Sequence, residues 1–257
     1  MSGEVHIVTC GISLLRNFAK QLSQSSLLGK HPDLKKQLEE NSDNFIKSLD
    51  DREKTELKSE MLEYLKRDGR KASAEINSIF GYIEDIKNAN ISEIGNIIKE
   101  VHLLRSDTES GKIVADVLGD YLHSLGLNIS IHSVEGFGSG DFNSAVRNLV
   151  EIARSIVKRK KNVVLNLTGG YKAEIAAMAV LASESDLKQY YIHEGSRKAV
   201  MIPRASELKV RMTKWDKIIG FLATLMNIPL HLPPDYPELI VKSIILAVVF
   251  YILAKKA

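Results

Sequence analysis

One stretch of the chain constrains its fold more than any other. Asn162-Val-Val-Leu-Asn-Leu-Thr168-Gly169-Gly170-Tyr171-Lys172-Ala-Glu runs from an apolar strand into a Thr-Gly-Gly-x-Lys turn, and the helix-forming run Ala173 to Leu181 follows. Paired glycines let the backbone turn sharply and leave its N–H groups open to an anion. The helix beyond points its positive N-terminal end at the same place, and Lys172 adds a full charge. The pattern suits a phosphate group. It is not a Walker A loop: the G-x-x-x-x-G-K-[ST] spacing is absent, so a nucleoside triphosphate with Mg²⁺ is not implied. A plain strand-to-helix connection carrying a lysine is the alternative.

Around this turn, strands and helices alternate. Val5-His-Ile-Val-Thr-Cys10 reads as the first strand, closing at Gly11, with a helix starting near Ser13. Glu100-Val-His-Leu-Leu104 is the second, followed by Arg105-Ser106-Asp107-Thr-Glu-Ser-Gly111. A helix comes next, with Ile113, Val114, Val117, Leu118, Tyr121, Leu122 and Leu125 at helical spacing. Leu127 to Val134 alternates like a strand, Glu135-Gly-Phe137-Gly-Ser-Gly140 is a flexible loop, and Asp141 suits the N-cap of a helix running to about Lys158. Past the Thr-Gly-Gly turn, Gln189–His193 and Ala199–Pro203 form a hairpin around Glu194-Gly195-Ser196. This order predicts an α/β fold, a Rossmann-like and mostly parallel sheet with helices on both faces. Ligands then bind outside the carboxyl ends of the strands. Ser13, Arg105, the Phe137 loop and Lys172 all follow such ends and should gather on one edge.

Two regions differ in character. From about residue 29 to 98 the chain is dense in Lys, Glu and Asp, and reads as two or three amphipathic helices inserted after the first βα unit. Either a solvated helical excursion or a lid or dimer contact is consistent with it. After a domain spanning 1–205, residues 206–257 form a helical region. Met212–Met226 reads as an amphipathic helix with the single tryptophan, Trp215; a proline-rich break follows, and Leu239–Ala254 is strongly apolar. Its uninterrupted run falls short of the ~20 residues that span a bilayer. Packing within the protein or across a dimer is favoured over membrane association.

Composition narrows the chemistry. With 257 residues, 44% of them apolar, the chain holds a proper core. The single cysteine, Cys10, cannot form an internal disulfide, and Val5–Cys10 is too short for a secretory signal, so a cytoplasmic location is expected. A net charge of +3 argues against a duplex nucleic-acid surface and for a local pocket. The seven histidines are dispersed, with no H-x-x-x-H and no Cys/His pair, so neither a metal site nor a cofactor is expected. There is no G-x-S-x-G elbow, and Glu-Leu-Lys at 56–58 and 207–209 is taken as chance in so charged a chain. Taken singly, Ser13 is equally an N-cap, and Arg105-Ser-Asp-Thr a capping cluster. Phe137 either stacks on a base or anchors its loop in the core.

Three segments in this order, Gly11-Ile-Ser13-Leu-Leu, Leu-Leu-Arg105-Ser-Asp-Thr-x-x-Gly111 and Asn166-Leu-Thr-Gly-Gly-Tyr-Lys-Ala173, resemble the CARF-domain proteins of type III CRISPR systems, specifically the stand-alone ring nucleases. The resemblance implies a homodimer that binds cyclic tetra-adenylate across its two-fold axis. It implies metal-independent cleavage to linear di-adenylate with a 2′,3′-cyclic phosphate, which switches off antiviral signalling. Ser13 matches the family's serine after the first strand, and Lys172 its lysine after the Gly-Gly turn; these are the expected catalytic pair. Gly11, Arg105, Ser106 and Asp107 fall on ligand-binding positions, as do Thr168, Gly169, Gly170 and Tyr171 of the turn. Phe137 lies where the family has a loop covering the ligand.

The implied chemistry needs little. A ribose 2′-OH beside each phosphate is the nucleophile, and aligning it is worth several kcal/mol, on the order of intramolecular effective-molarity gains. Lys172 and the Gly-Gly N–H groups would stabilise charge on the phosphorane, and Ser13 would hold a phosphate or the ribose. No general base is identifiable, which predicts a slow enzyme. The alternative is a non-catalytic sensor coupled through its C-terminal helix to a partner or membrane effector. The Arg-x(4–6)-His motif of the family's ribonuclease effectors is absent. An unrelated nucleotide-binding Rossmann protein is disfavoured, because no strand is followed by G-x-G-x-x-G.

Overall fold

The computed structural model describes residues 3–22, 25–170, 172–192, 198–204 and 206–207, all within a unit that ends at Leu208. Strands β1 (Glu4–Cys10), β2 (Ile98–Ser106), β3 (Asn128–Val134), β4 (Val163–Asn166), β5 (Lys188–Ile192) and β6 (Ala199–Ile202) form one six-stranded sheet in the order β3-β2-β1-β4-β5-β6. Strands β1 to β5 are parallel; β6 returns antiparallel to β5. The expected α/β architecture is therefore the observed one. The expected Glu194–Ser196 turn, the helices at 212–226 and 239–254 and the side chain of Tyr171 lie outside the described residues.

Between β1 and β2 come α1 (Ser13–Lys20), α2 (Leu34–Glu40), α3 (Ser42–Ser48), α4 (Asp51–Asp68), α5 (Ala74–Gly81) and α6 (Ile94–Ile97). Helix α7 (Glu109–Ser124) follows β2, α8 (Phe142–Arg159) follows β3, and α9 (Lys172–Glu184) follows β4. Side chains of a strand alternate between its faces, and here that alternation sorts the core in two. Val8 and Cys10 of β1, Val101 and Leu103 of β2 and Val164 of β4 join one apolar cluster with α1 and α7. Val5, Ile7, Leu104, Val163 and Leu165 join the other, against α8 and α9.

The charged segment is not a solvated excursion. Its residues Leu34, Leu38, Ile46, Leu57, Met61, Leu65, Ile76 and Ile79 are buried in the same cluster as Leu14, Val114 and Leu118. Leu57, Met61 and Leu65 recur at four-residue steps, so the lysines and glutamates of α4 occupy only its outer face. A capping box starts this helix: Asp50 accepts from the Glu53 N–H, and Glu53 in return from the Asp50 N–H. Where two or three helices are expected there, the described residues hold five, because short non-helical breaks at Asn41 and Leu49–Asp50 divide the first of them.

Full burial of one such leucine stabilises by about 1.5–3 kcal/mol through area alone. Leu57→Ala should therefore lower the unfolding free energy by about 2–5 kcal/mol once the cavity is included. Urea denaturation would show it as a lower midpoint with an unchanged slope.

Candidate functional site

The strand order reverses at β1: β2 lies on one side of it and β4 on the other. Such a switch point opens a crevice at the carboxyl ends of the two central strands. The turns leaving β1 and β4 meet there. A methyl group added to Gly11 would sit 3.3 Å from the Gly170 nitrogen, and one added to Gly169 would sit 2.5 Å from the Thr9 carbonyl oxygen. Gly170 has φ +96°, which disfavours any other residue.

Hydrogen bonds hold this turn from several elements. Thr9 Oγ1 donates to the Gly169 carbonyl at 2.5 Å. Asn166 Oδ1 accepts from the Thr168 N–H at 3.1 Å, while Asn166 Nδ2 donates to Ser78 Oγ of α5 at 2.6 Å. The Thr168 hydroxyl accepts from the Ile192 N–H of β5 at 3.1 Å. Lys172 opens α9 with its side chain exposed.

Sequence reasoning missed the group that completes this corner, Glu75 of α5. Its Oε1 accepts from the Gly11 N–H at 2.8 Å. Its Oε2 accepts from the Ser13 hydroxyl at 3.0 Å and from the Ser73 hydroxyl at 2.6 Å. The residue is only 1% exposed. Ser13 does not cap its own helix: Ile12 holds that position without a side-chain bond. Instead the Ser13 hydroxyl accepts from the Ala74 N–H at 3.0 Å and so caps α5. A second buried carboxylate, Glu174, lies so near that a methyl group on Gly170 would collide with it. The anion-binding corner anticipated from the glycines is thus lined by two acids as well. Burial pushes the Cys10 thiol well up, the nearby Glu75 and Glu174 push it further, and Arg105 opposes them only weakly. Cys10 is therefore no thiolate nucleophile.

Ser73-Ala-Glu75 before an apolar run was the available signal, but on sequence it reads only as a helix start: Ser73 caps α5 by accepting from the Glu75 and Ile76 N–H groups.

The edge beyond β2 is built for support. Arg105 pairs with Cys10 in the sheet register, and its Nη1 donates to the Ser106 carbonyl at 2.7 Å. The Ser106 and Thr108 hydroxyls share a hydrogen bond of 2.7 Å, and Thr108 caps α7 by accepting from the Gly111 N–H. Asp107 accepts from the N–H groups of Gly136 at 3.0 Å and Gly138 at 2.6 Å, tying down the glycine-rich loop. Burial alone would raise its pKa; these N–H bonds outweigh burial and hold it below the ordinary aspartate value of 3.8.

The loop's aromatic is turned inward. Phe137 is buried among Leu104, Val134 and Leu149, so it anchors the loop and offers no open stacking face. The exposed ring is Phe142, 54% exposed at the start of α8, with its centroid 6.1 Å from that of Phe137. Phe142 went unnoticed because it sits inside a helix pattern. Ser13, Arg105, the Phe137 loop and Lys172 lie at or just past the carboxyl ends of the parallel strands β1, β2, β3 and β4, so these four stand on one edge of the sheet as expected. The histidines are less dispersed than their spacing implies: His102 and His132 meet across β2 and β3, with Nδ1 and Nε2 2.9 Å apart. Among the described residues no group of three or more His, Cys, Asp and Glu could hold a metal ion, and no helix is long and apolar enough to cross a membrane.

A family profile described as "CRISPR-associated protein (Cas_APE2256)" matches residues 70–205, more than half of the chain. Glu75 and the Thr168–Lys172 turn lie within the matched part; Gly11 and Ser13 precede it. Among solved structures, Can2 from Sulfobacillus thermosulfidooxidans in complex with cyclic tetra-adenylate is similar at 15% identity and a TM-score of 0.35. The alignment covers 65% of this chain, which spans 55% of the Can2 chain.

Asp107→Ala should speed amide hydrogen exchange at Gly136 and Gly138 while leaving the β1–β4 corner protected. The pH dependence has a definite sign. A lowered folded-state pKa means the clamp's contribution is present above pH 3.8 and is lost as the pH falls through the lowered value. Exchange measured by NMR in the wild type should keep its protection down to pH 3.8 and lose it only below.

Proposed function

The chain belongs to the family described as CRISPR-associated protein (Cas_APE2256), matched over residues 70–205, and we propose that this CARF-type protein is a ring nuclease that binds and cleaves cyclic tetra-adenylate. The observation that carries the proposal is the corner at the switch point. There the backbone at Gly11 leaves room for no more than a methyl group before the Gly170 nitrogen, which such a group would meet at 3.3 Å, and Lys172 stands exposed at the start of α9.

In the proposed reaction a ribose 2′-oxygen attacks the adjacent phosphorus, the bond to the 5′-oxygen breaks, and a 2′,3′-cyclic phosphate and a 5′-hydroxyl result. Two such events on one ring give two linear di-adenylates, which suits a homodimer with its two-fold axis through the ring. The nucleophile is part of the substrate, so the proposed chemistry proceeds without a metal ion or cofactor. Lys172 would neutralise the phosphorane's non-bridging oxygens as their charge grows. Phe142 gives an adenine a face to stack on, worth about 1–3 kcal/mol. The cytoplasm is the proposed compartment, and termination of a cyclic-oligoadenylate antiviral signal the proposed role.

The test is incubation of the purified protein with cyclic tetra-adenylate in EDTA, with products resolved by liquid chromatography and mass spectrometry. Linear di-adenylate cyclic phosphate is the expected product. An intact ring that co-elutes with the protein would instead make it a sensor acting through residues 206–257. Lys172→Ala should lower single-turnover cleavage by about 10²–10³-fold with affinity changed only a few-fold; cleavage at the wild-type rate would remove Lys172 from the mechanism.

A further inference from the structure

Hydrogen-bond polarity at Ser13 restricts what that residue can hold. A serine hydroxyl has one proton and two acceptor sites. In this structure the proton goes to Glu75 Oε2 at 3.0 Å, and one acceptor site takes the Ala74 N–H at 3.0 Å. One acceptor site is left. A phosphate oxygen, itself only an acceptor, has nothing to offer it; a hydroxyl group does.

Glu75 fixes this polarity. Three donors converge on its carboxylate: the Gly11 N–H and the Ser13 and Ser73 hydroxyls. Ser73 is itself held by the Glu75 and Ile76 N–H groups, so its only proton also points at Glu75. Glu75 lies close enough to the buried Cys10 thiol of β1 to act on it, as do Glu174 of α9 and Arg105 of β2.

We propose, building on the ring-cleavage reading above, that Ser13 accepts the proton of the attacking ribose 2′-OH and that Glu75, acting through Ser13, is the positioning residue and proton sink for this step. As the 2′-oxygen forms its bond to phosphorus, its proton passes to Ser13 Oγ and the serine proton passes to Glu75 Oε2. The bond from phosphorus to the 5′-oxygen breaks, and that oxygen takes a proton from water. Glu75 returns its proton to solvent. Ser13 therefore reads the ribose, and the phosphate falls to the Gly169–Gly170 turn and Lys172.

The test compares wild type, Glu75→Gln and Ser13→Ala, each as the full chain and checked for folding by circular dichroism. Two quantities are read: single-turnover cleavage, and stopped-flow affinity, before any cleavage, for cyclic tetra-adenylate against its all-2′-deoxy counterpart. In Glu75→Gln the amide oxygen must face the Gly11 N–H, which turns the NH₂ toward Ser13 and frees the serine proton toward the ligand. Wild type should prefer the ribose ring by roughly tenfold, as befits a hydrogen bond in a charge-backed pair. Both variants should lose that preference while binding the deoxy ring within threefold of wild type. Cleavage in Glu75→Gln should fall by about 10²-fold or more.

Wild-type cleavage in Glu75→Gln would overturn the proposal. If the wild type binds the ring without cutting it, the ring-cleavage reading fails alone; the ribose preference and its loss in the variants then still decide whether Glu75 and Ser13 read the hydroxyl. Equal wild-type affinity for the two rings overturns it. Should Glu75→Gln fail to fold, Ser13→Ala carries the same comparison.

Discussion

A carboxylate removed from water must be met by donors, because leaving it unpaired costs several kcal/mol or more. Glu75 is buried, and the donors that meet it come from the turn after β1, from the first residue of α1 and from the cap of α5. The whole helical insertion is thereby committed to one place. Were α5 displaced, the glutamate would be stranded beside the equally buried Glu174 and Cys10. The apolar stripe of α4 supplies the bulk of the packing, but the ring of hydrogen bonds at Glu75 sets the register between the insertion and the sheet edge. Asn166 adds a second tie, through Ser78 of the same helix, to the turn that follows β4.

That network changes the character of the crevice. A glycine-lined switch point is ordinarily a place for anions. Here the Gly11 N–H is already engaged by the protein's own carboxylate, and the positive contributions come from the start of α9 and from Lys172. The corner therefore has an acceptor-rich side at Ser13, while at the α9 terminus the exposed Lys172 and the buried Glu174 stand together.

The strands were legible in the sequence because their two-residue alternation is enforced by burial on both faces, as Val5/Ile7 against Val8/Cys10 illustrates. The Thr168–Lys172 turn was legible because so few residues fit its backbone. Glu75 was not, since 64 residues separate it from Gly11 and nothing in Ser73-Ala-Glu75 distinguishes a helix cap from a long-range tie. The insertion misled through its surface: charge density hid the Leu57/Met61/Leu65 stripe. Phe142 was missed, and the two readings of Phe137 left open, for a related reason. Local composition says that an aromatic in a glycine-rich loop is unusual, and only the packing of α8 on the sheet says which of two neighbouring rings turns inward.

Chain order gives the Glu75 network a further meaning. Every donor and acceptor in it lies between Gly11 and Glu75, so this half of the corner can be made once α5 has emerged from the ribosome. The tie between Thr9 and Gly169 spans 160 residues and must wait for β2, β3 and β4. Until then the nascent chain carries a finished acceptor half with its carboxylate already satisfied. The late-arriving glycine turn closes onto a surface that no longer needs it for charge balance.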